Sequence, residues 1–189
     1  MRIQRLTTIE EPTNFLIGDK INIDHYTATC QEITPKGALF LLDQYLDKPY
    51  QMNAEDTNKG GYKASDLRET LRSKELLDIF KGIRDYMVPF DNGDLLRIPF
   101  FGEIFGQEDA EYFEPDGCEQ WELMKDRKNR IAFWQNRWEW GRFQNKRKDS
   151  ATDFAVVDSD GTAFHSIASI SYGVRPVFQI AAEGGHDEH

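Results

Sequence analysis

The sequence predicts an α+β domain with short helices in its middle and an antiparallel sheet at its C-terminal end. Two runs of strand-forming residues, Phe154 to Val157 and Thr162 to Ile167, flank Asp160-Gly161, which is a strong hairpin signal. The stretch "SDLRETLRSKELLDIFKGIRDYM" carries apolar residues at helical spacing, and "YGVRPVFQI" closes the chain in extended form.

Taken in order, the first part divides into short apolar runs separated by turn residues. In "FLIGDKINI", Ile21 and Ile23 alternate with polar neighbours after Gly18, the pattern of a half-buried strand. "GALFLLDQYL" reads as a more deeply buried strand, and "TPKG" before it as a turn. Residues 1–52 are therefore expected to form a small β-rich N-terminal part of the fold.

A polar, glycine-containing loop, "NAEDTNKGGYK", follows. Asp66 and Glu69 have the spacing of a capping box, and Leu67 and Leu71 fall one turn apart. Ser73 is a second candidate cap, ahead of a stripe made by Leu76, Leu77, Phe80 and Ile83. Two consecutive short helices are expected. Asn92-Gly93 then marks a turn, "LLRI" a short strand stopped by Pro99, and residues 103–126 loop and short helix. In the closing run, Pro176 cannot donate to a ladder, which places it at an edge or a bulge. The main domain is expected over 53–180, with 181–189 as an acidic tail.

Composition narrows the class. The 189 residues are 39% hydrophobic and 13% aromatic, a globular profile, and roughly 70% of the extended-chain surface of such a domain can be buried. No apolar run approaches the roughly 20 residues of a membrane span, so membrane insertion is not expected. The start, "MRIQRLTTIEEPTNF", has no apolar core of a signal peptide, which points to synthesis in a cytoplasm. Cys30 and Cys118 lie far apart without a CxxC spacing and read as two thiols in a reducing compartment. His186, Asp187 and His189 could ligate a metal, but they sit in the acidic tail.

The net charge of −10 is unevenly spread. Residues 127–148 hold eight lysines and arginines against Glu139 alone, whereas nine acids between Glu103 and Asp126 face Lys125 alone. Either the two segments neutralise each other across a surface, or the basic one is a cationic site for an anionic partner.

No nucleotide loop, HExxH or GxSxG motif occurs, and no cofactor is indicated. "DSDG" (Asp158 to Gly161) reads as a hairpin turn rather than a metal loop. His165 reads as a histidine of a strand, and nothing places a base beside Cys30. An enzyme is not expected. The stretch "NRIAFWQNRWEWGRFQNKRK" is the most suggestive. Trp138 and Trp140 share one face of a strand, either as core anchors or as displayed recognition groups of the kind that dominate hot spots. Single-stranded nucleic acid could stack there locally, but the acidic remainder of the chain disfavours a long polyanion.

The pieces "NRIAFW", "WEWGRFQNK", "SATDFAVVDSDGTA" and "YGVRPVFQI", with "ALFLLD", "SDLRETL", "MVPFDNGDLLRIPFFGEIFG" and "EQWELMK" before them, resemble the DUF6273 family of gut bacteria and their phages. The resemblance runs from about residue 17 to 180. It implies a C-type-lectin-like fold of the formylglycine-generating-enzyme type, closed by "GVRPVFQI". It also implies kinship with the variable proteins of diversity-generating retroelements, which display altered side chains on a fixed scaffold. Carried onto this chain, the scaffold includes Trp138, Trp140, Asn145, Phe154, Val156, Gly161, Ala163, Ala168, Gly173, Val174, Arg175, Pro176 and Phe178. The implied ligand-binding positions are Arg142, Asp153, Asp158, Asp160, Thr162, Phe164, His165, Ser166, Ile167, Ile170 and Tyr172, with Gly141, Ser159, Ser169 and Ser171 among the other displayed residues. "GRFQN" stands where the family has bulkier residues. The cysteine pair of the formylglycine-generating relatives is not reproduced by Cys118, so their oxidase activity is not implied.

The implied function is a non-enzymatic adhesin of phage or prophage origin that binds a protein or glycan on a bacterial surface, virion-associated or displayed outside the cell. The alternative is an intracellular phage protein that occupies a host protein through its acidic surface. Homo-oligomerisation stays open.

Overall fold

The computed structural model describes residues 6–7, 14–134 and 137–181. The acidic tail with His186, Asp187 and His189 lies outside the described residues, as does the side chain of Trp138. The fold is mixed α+β, with three short α-helices, several 3-10 turns and mainly antiparallel sheets, as expected. Two compact units are interleaved along the chain. One takes residues up to Asp43, Arg72–Arg97 and those from Pro176 onward; the other takes Gln44–Leu71 and Ile98–Arg175. A single cut near residue 52 does not separate them.

The first unit is built on a five-stranded sheet. Its strands are β1 (Leu6–Thr7), β2 (Lys20–Ile23), β3 (Tyr26–Thr34), β4 (Gly37–Leu42) and, far later in the chain, β10 (Val177–Ala181), in that spatial order. Only the β1–β2 pair is parallel. Ile21 and Ile23 are buried, as their alternation predicts, and all six residues of β4 are buried. β3 carries a bulge between Cys30 and Glu32, and the buried Gln31 amide turns back to the Thr29 carbonyl at 3.2 Å. At the start of β4, Gly37 has φ +151°, and a Cβ there would lie 1.9 Å from the Ile180 carbonyl oxygen. A glycine is required where β10 runs so close.

Phe40 is the hinge of this core. It meets Phe15 edge-on at 5.0 Å and stacks on Phe178 at 5.6 Å, and Phe178 in turn meets Phe80 at 5.3 Å. Phe80 follows helix α2 (Lys74–Ile79), whose cap is Ser73, its hydroxyl accepting from the Leu76 N–H at 3.4 Å. Pro176 sits just ahead of the edge strand β10, where no ladder donor is missed. "LLRI" is not a strand: Arg97 alone bridges to Val177, and Met87 to Ile180, so residues 87–97 shield that edge without extending the sheet.

The second unit holds helices α1 (Asp66–Leu71) and α3 (Phe101–Phe105), the hairpin β5 (Ala132–Trp134) and β6 (Arg137–Glu139), and a three-stranded antiparallel sheet. That sheet runs β7 (Gly141–Lys146), β8 (Asp153–Val157), β9 (Ala163–Ile167). The expected capping box at Asp66 is replaced by Ser65. Its hydroxyl accepts from the Arg68 N–H at 3.1 Å, while Asp66 accepts from the Ala54 N–H at 2.8 Å. Phe101 packs on Phe105 and Phe113 at 4.8 and 4.5 Å, and Phe105 meets Phe143 edge-on. Asn145 ties these elements together by accepting from the Phe101 N–H and donating to the Glu114 carbonyl, each at 2.8 Å. Among the described residues no helix is long and apolar enough to cross a membrane.

Candidate functional site

The site grows from the β8–β9 hairpin. Its turn is set by Asp158, whose carboxylate accepts the N–H groups of Asp160 and Thr162 at 3.1 and 2.9 Å, and by Gly161 at φ +87°. A Cβ on Gly161 would lie 2.4 Å from Arg127 Cγ and 2.7 Å from the Arg127 carbonyl oxygen, so two constraints select glycine there. Burial and then its contact with Asp160 raise the Asp158 carboxyl above the ordinary range, while the same contact lowers Asp160. These carboxylates serve the turn. No group of three or more His, Cys, Asp or Glu among the described residues is placed to hold a metal ion.

β9 is an edge strand, paired with β8 alone, and none of its five residues is buried. Its His165 is locked from both sides. Nδ1 lies 2.5 Å from Asp153 Oδ2, and Nε2 meets the Arg147 guanidinium. Arginine can only donate, so Nε2 faces it as the acceptor while Nδ1 faces the Asp153 carboxylate. Burial pushes the Asp153 carboxyl up, but hydrogen bonds from Thr152 and His165 outweigh it and hold it below its usual value. Arg147 is raised first by its bond to Asp149. This arrangement pins β9 to the turn that precedes β8, and both imidazole nitrogens are engaged in it.

Beside this lock lies an aromatic surface. Trp140 stacks on Tyr172 with ring centroids 5.5 Å apart and meets Phe164 edge-on at 5.6 Å, and Phe164 stacks on His165 at 4.9 Å. Phe164 is 47% exposed and Ile170 42%. Trp140 and Tyr172 are half-buried. The Tyr172 hydroxyl lies 3.0 Å from that of Ser166, and the backbone of Tyr172 exchanges two hydrogen bonds with Tyr50. A cavity of about 230 Å³ adjoins this surface, lined by Asp109, Tyr112, Phe113, Arg147, Ala163, Phe164 and His165. Asp109 holds a left-handed conformation at φ 56° on its rim.

Phe164, His165, Ser166 and Tyr172 are thus linked by ring contacts and a hydroxyl pair, with Ile167 and Ile170 on the same segment, all exposed or half-buried. Asp158, Asp160 and Thr162 lie in the turn, and Asp153 beneath His165. Arg142, expected to face a ligand, is instead buried at 1% exposure. Its Nη2 donates to the Ile167 carbonyl at 3.0 Å, the Ala168 carbonyl at 3.2 Å and the Ile170 carbonyl, and its guanidinium lies 5.0 Å from the Tyr172 ring. It carries the surface from below. Gly141, expected as a displayed position, is buried as well. A Cβ there would meet the Tyr45 hydroxyl at 2.5 Å, and one on Gly173 the same ring at 2.4 Å. Trp140, expected as a buried anchor, belongs to the surface cluster.

Among the described residues, four of the basic side chains of this stretch are paired with acids. Arg130 pairs with Glu108 at 2.8 Å, Arg127 with the same carboxylate group at 3.7 Å, Lys146 with Glu114 at 3.1 Å, and Arg147 with Asp149. The acidic segment answers it, and also lines a groove of about 580 Å³ that includes Glu111, Glu114, Asp116 and Glu119. Cys118 lines this groove, whereas Cys30 is buried, its thiol pushed up to about 12 by burial; no disulfide joins the two.

Sequence reasoning missed Tyr45, Tyr112 and Arg147. The one available signal was Gly141, a glycine inside a strand, which marks a close approach of another group. Comparison with family models, with curated proteins and with solved structures finds no match.

Proposed function

We propose that this chain is a non-enzymatic binding protein that presents the surface of β9 and residues 168–172 to a protein or glycan of a bacterial cell surface, as a phage-derived adhesin would. We also read its scaffold as C-type-lectin-like. In support, the closing strand "GVRPVFQI" pairs antiparallel with the early strand β4. The observation that carries the binding role is the cluster of Trp140, Phe164 and Tyr172, with Phe164 exposed and the exposed Ile170 two residues before Tyr172, on a hydrogen-bonded base. Aromatics of this kind supply large contact area at low entropic expense, and such exposed groupings mark interaction sites.

The test is flow cytometry of the fluorescently labelled protein on intact cells of gut bacteria, compared with the double variant Phe164→Ser, Ile170→Ser. Both side chains are largely exposed, so the variant is expected to unfold within about 0.5 kcal/mol of the parent, while cell binding falls at least tenfold. Equal binding by parent and variant would remove this surface from the function.

The groove of about 580 Å³ lined by acidic side chains favours a second reading, an intracellular partner with a basic surface. Binding that maps to Glu111, Glu114 and Glu119 rather than to Phe164 and Ile170 would select it.

A further inference from the structure

Two strands that end a sheet have their outer edges met by backbone. On β10, Arg97 and Val177 exchange N–H to carbonyl bonds at 3.1 and 2.7 Å, and Val88 donates to the Gln179 carbonyl at 3.0 Å. On β7, the backbone N–H of Arg142 donates to the Gly173 carbonyl and that of Gln144 to the Pro99 carbonyl, each at 3.1 Å. β9 ends the same sheet as β7 on its other side, and its outer edge is not met in this way. An uncovered row of backbone donors and acceptors is a template for a further strand.

The ladder with β8 fixes which groups form that edge. Asp158 donates its N–H to the Thr162 carbonyl and Ala168 to the Thr152 carbonyl, each at 3.0 Å, and the register from Val157 opposite Ala163 to Asp153 opposite Ile167 is unbroken between them. Hydrogen-bonded pairs alternate along an antiparallel ladder, so Phe164 and Ser166 bond to β8, while Ala163, His165 and Ile167 turn their N–H and carbonyl groups outward. Among the described residues, the Ile167 carbonyl alone of these six groups has a partner, the Arg142 guanidinium at 3.0 Å. The devices that ordinarily blunt an edge are missing from the strand. "AFHSI" has no proline, lysine or carboxylate, and its pairing with β8 has no bulge.

We propose that β9 pairs antiparallel with β9 of a second copy of this chain, about a two-fold axis at His165. The outward groups are self-complementary in that register, as an isologous contact requires. Each His165 gives its N–H to the His165 carbonyl of the other copy, and each Ile167 N–H reaches the other copy's Ala163 carbonyl. The Ala163 N–H meets an Ile167 carbonyl, whose second lone pair is left over by Arg142. The strand carries no lysine, arginine or carboxylate to repel its counterpart, and both ring nitrogens of His165 are turned to Asp153 and Arg147 of their own copy. Phe164 and Ser166 fall on the same face in both copies, so the two aromatic clusters adjoin on one sheet with three strands from each. The pairing does not depend on what that surface binds.

Two five-residue strands make a small interface, and small interfaces are weak, so a dissociation constant on the order of 100 µM is expected. The test is sedimentation equilibrium of the full chain from about 5 µM to about 1 mM, together with amide hydrogen exchange read by NMR at both ends of that range. The average mass is expected to rise from 22.0 kDa toward twice that value. Exchange at the amides of Ala163 and His165 is expected to slow at least threefold at the higher concentration, while Phe164 and Ser166, already bonded to β8, stay unchanged. A mass of 22.0 kDa throughout overturns the proposal and leaves the edge to an extended strand of another protein. A dimer whose Ala163 and His165 amides exchange as in the monomer overturns it too, because the contact then lies elsewhere. Ala163→Pro removes an outward N–H at the first position of the strand, where proline is tolerated, and is expected to keep the chain monomeric at about 1 mM. Should that variant fail to fold, the exchange rates of the unaltered protein still decide.

Discussion

Strands β4 and β9 are of similar length and each pairs antiparallel with its neighbours, yet they are used in opposite ways. β4 runs between two partners and buries all six of its residues. β9 has one partner and buries none. The composition follows the position. "GALFLL" supplies only bulk for a core, whereas "AFHSI" mixes an exposed phenylalanine with groups that hydrogen-bond at the surface. A strand enclosed on both sides contributes stability and nothing that a partner can touch. An edge strand held by a hairpin turn and a polar lock contributes little stability but leaves its side chains available.

The contrast breaks most visibly at Phe40. Its ring is fully buried and is shared between Phe15 and Phe178. Phe40→Ala is expected to cost about 3–5 kcal/mol in urea unfolding. If the cost were below about 1 kcal/mol, β4 would not be the structural strand that its burial indicates.

Gly173 probes how firmly the displayed surface is founded. Alanine there would place Cβ 2.4–2.6 Å from three ring carbons of Tyr45, and the ring is itself buried and cannot swing away freely. A loss of about 1–3 kcal/mol is expected, measured in the same way. An unchanged stability would show that the segment before the closing strand yields, and that the rigid base argued for the aromatic cluster does not exist.

Much of the structural half of this comparison was legible in the sequence. Ile21 and Ile23, the run "GALFLL", the two short helices and the Asp160-Gly161 hairpin are local signals, and local periodicity or turn chemistry suffices to read them. The site was legible only as a stretch of chain. Phe164 and Tyr172 do meet around Trp140, but Arg142 has the composition of a surface residue and ends in the interior. What draws it in is a set of three backbone carbonyls 25 to 28 positions away, which no local pattern reveals. Tyr45 is likewise invisible in sequence, because its role is to fill the space left by two distant glycines. The charge blocks were read correctly as adjacent, and only the side-chain distances show that they pair.

A smaller effect sharpens the comparison at the lock on β9. Asp153 has a folded-state carboxyl held below its ordinary value, so its contribution is present above the unfolded value of about 3.9 and is lost as pH falls through the folded one. Asp153→Asn is expected to cost about 1 kcal/mol at pH 7. That deficit should shrink as both proteins are unfolded at pH 4, 3 and 2.5, because the native carboxyl is then being protonated. A deficit that stays constant over this range would mean that Asp153 acts by shape and not by charge.

The smallest expected effect concerns salt. Arg127 and Lys146 pair with Glu108 and Glu114 at 3.7 and 3.1 Å, and exposed pairs of this kind contribute little individually. On the proposed binding role the aromatic cluster is the main source of affinity, and apolar contact is not screened by ions. Binding to cells is therefore expected to change less than about threefold between 50 and 500 mM sodium gluconate, a range over which the screening length falls from about 14 to about 4 Å. A tenfold or steeper loss over this range would instead place the contact on the acidic groove. β9 would then be an exposed strand without a recognition role, and its Phe164 an ordinary surface phenylalanine.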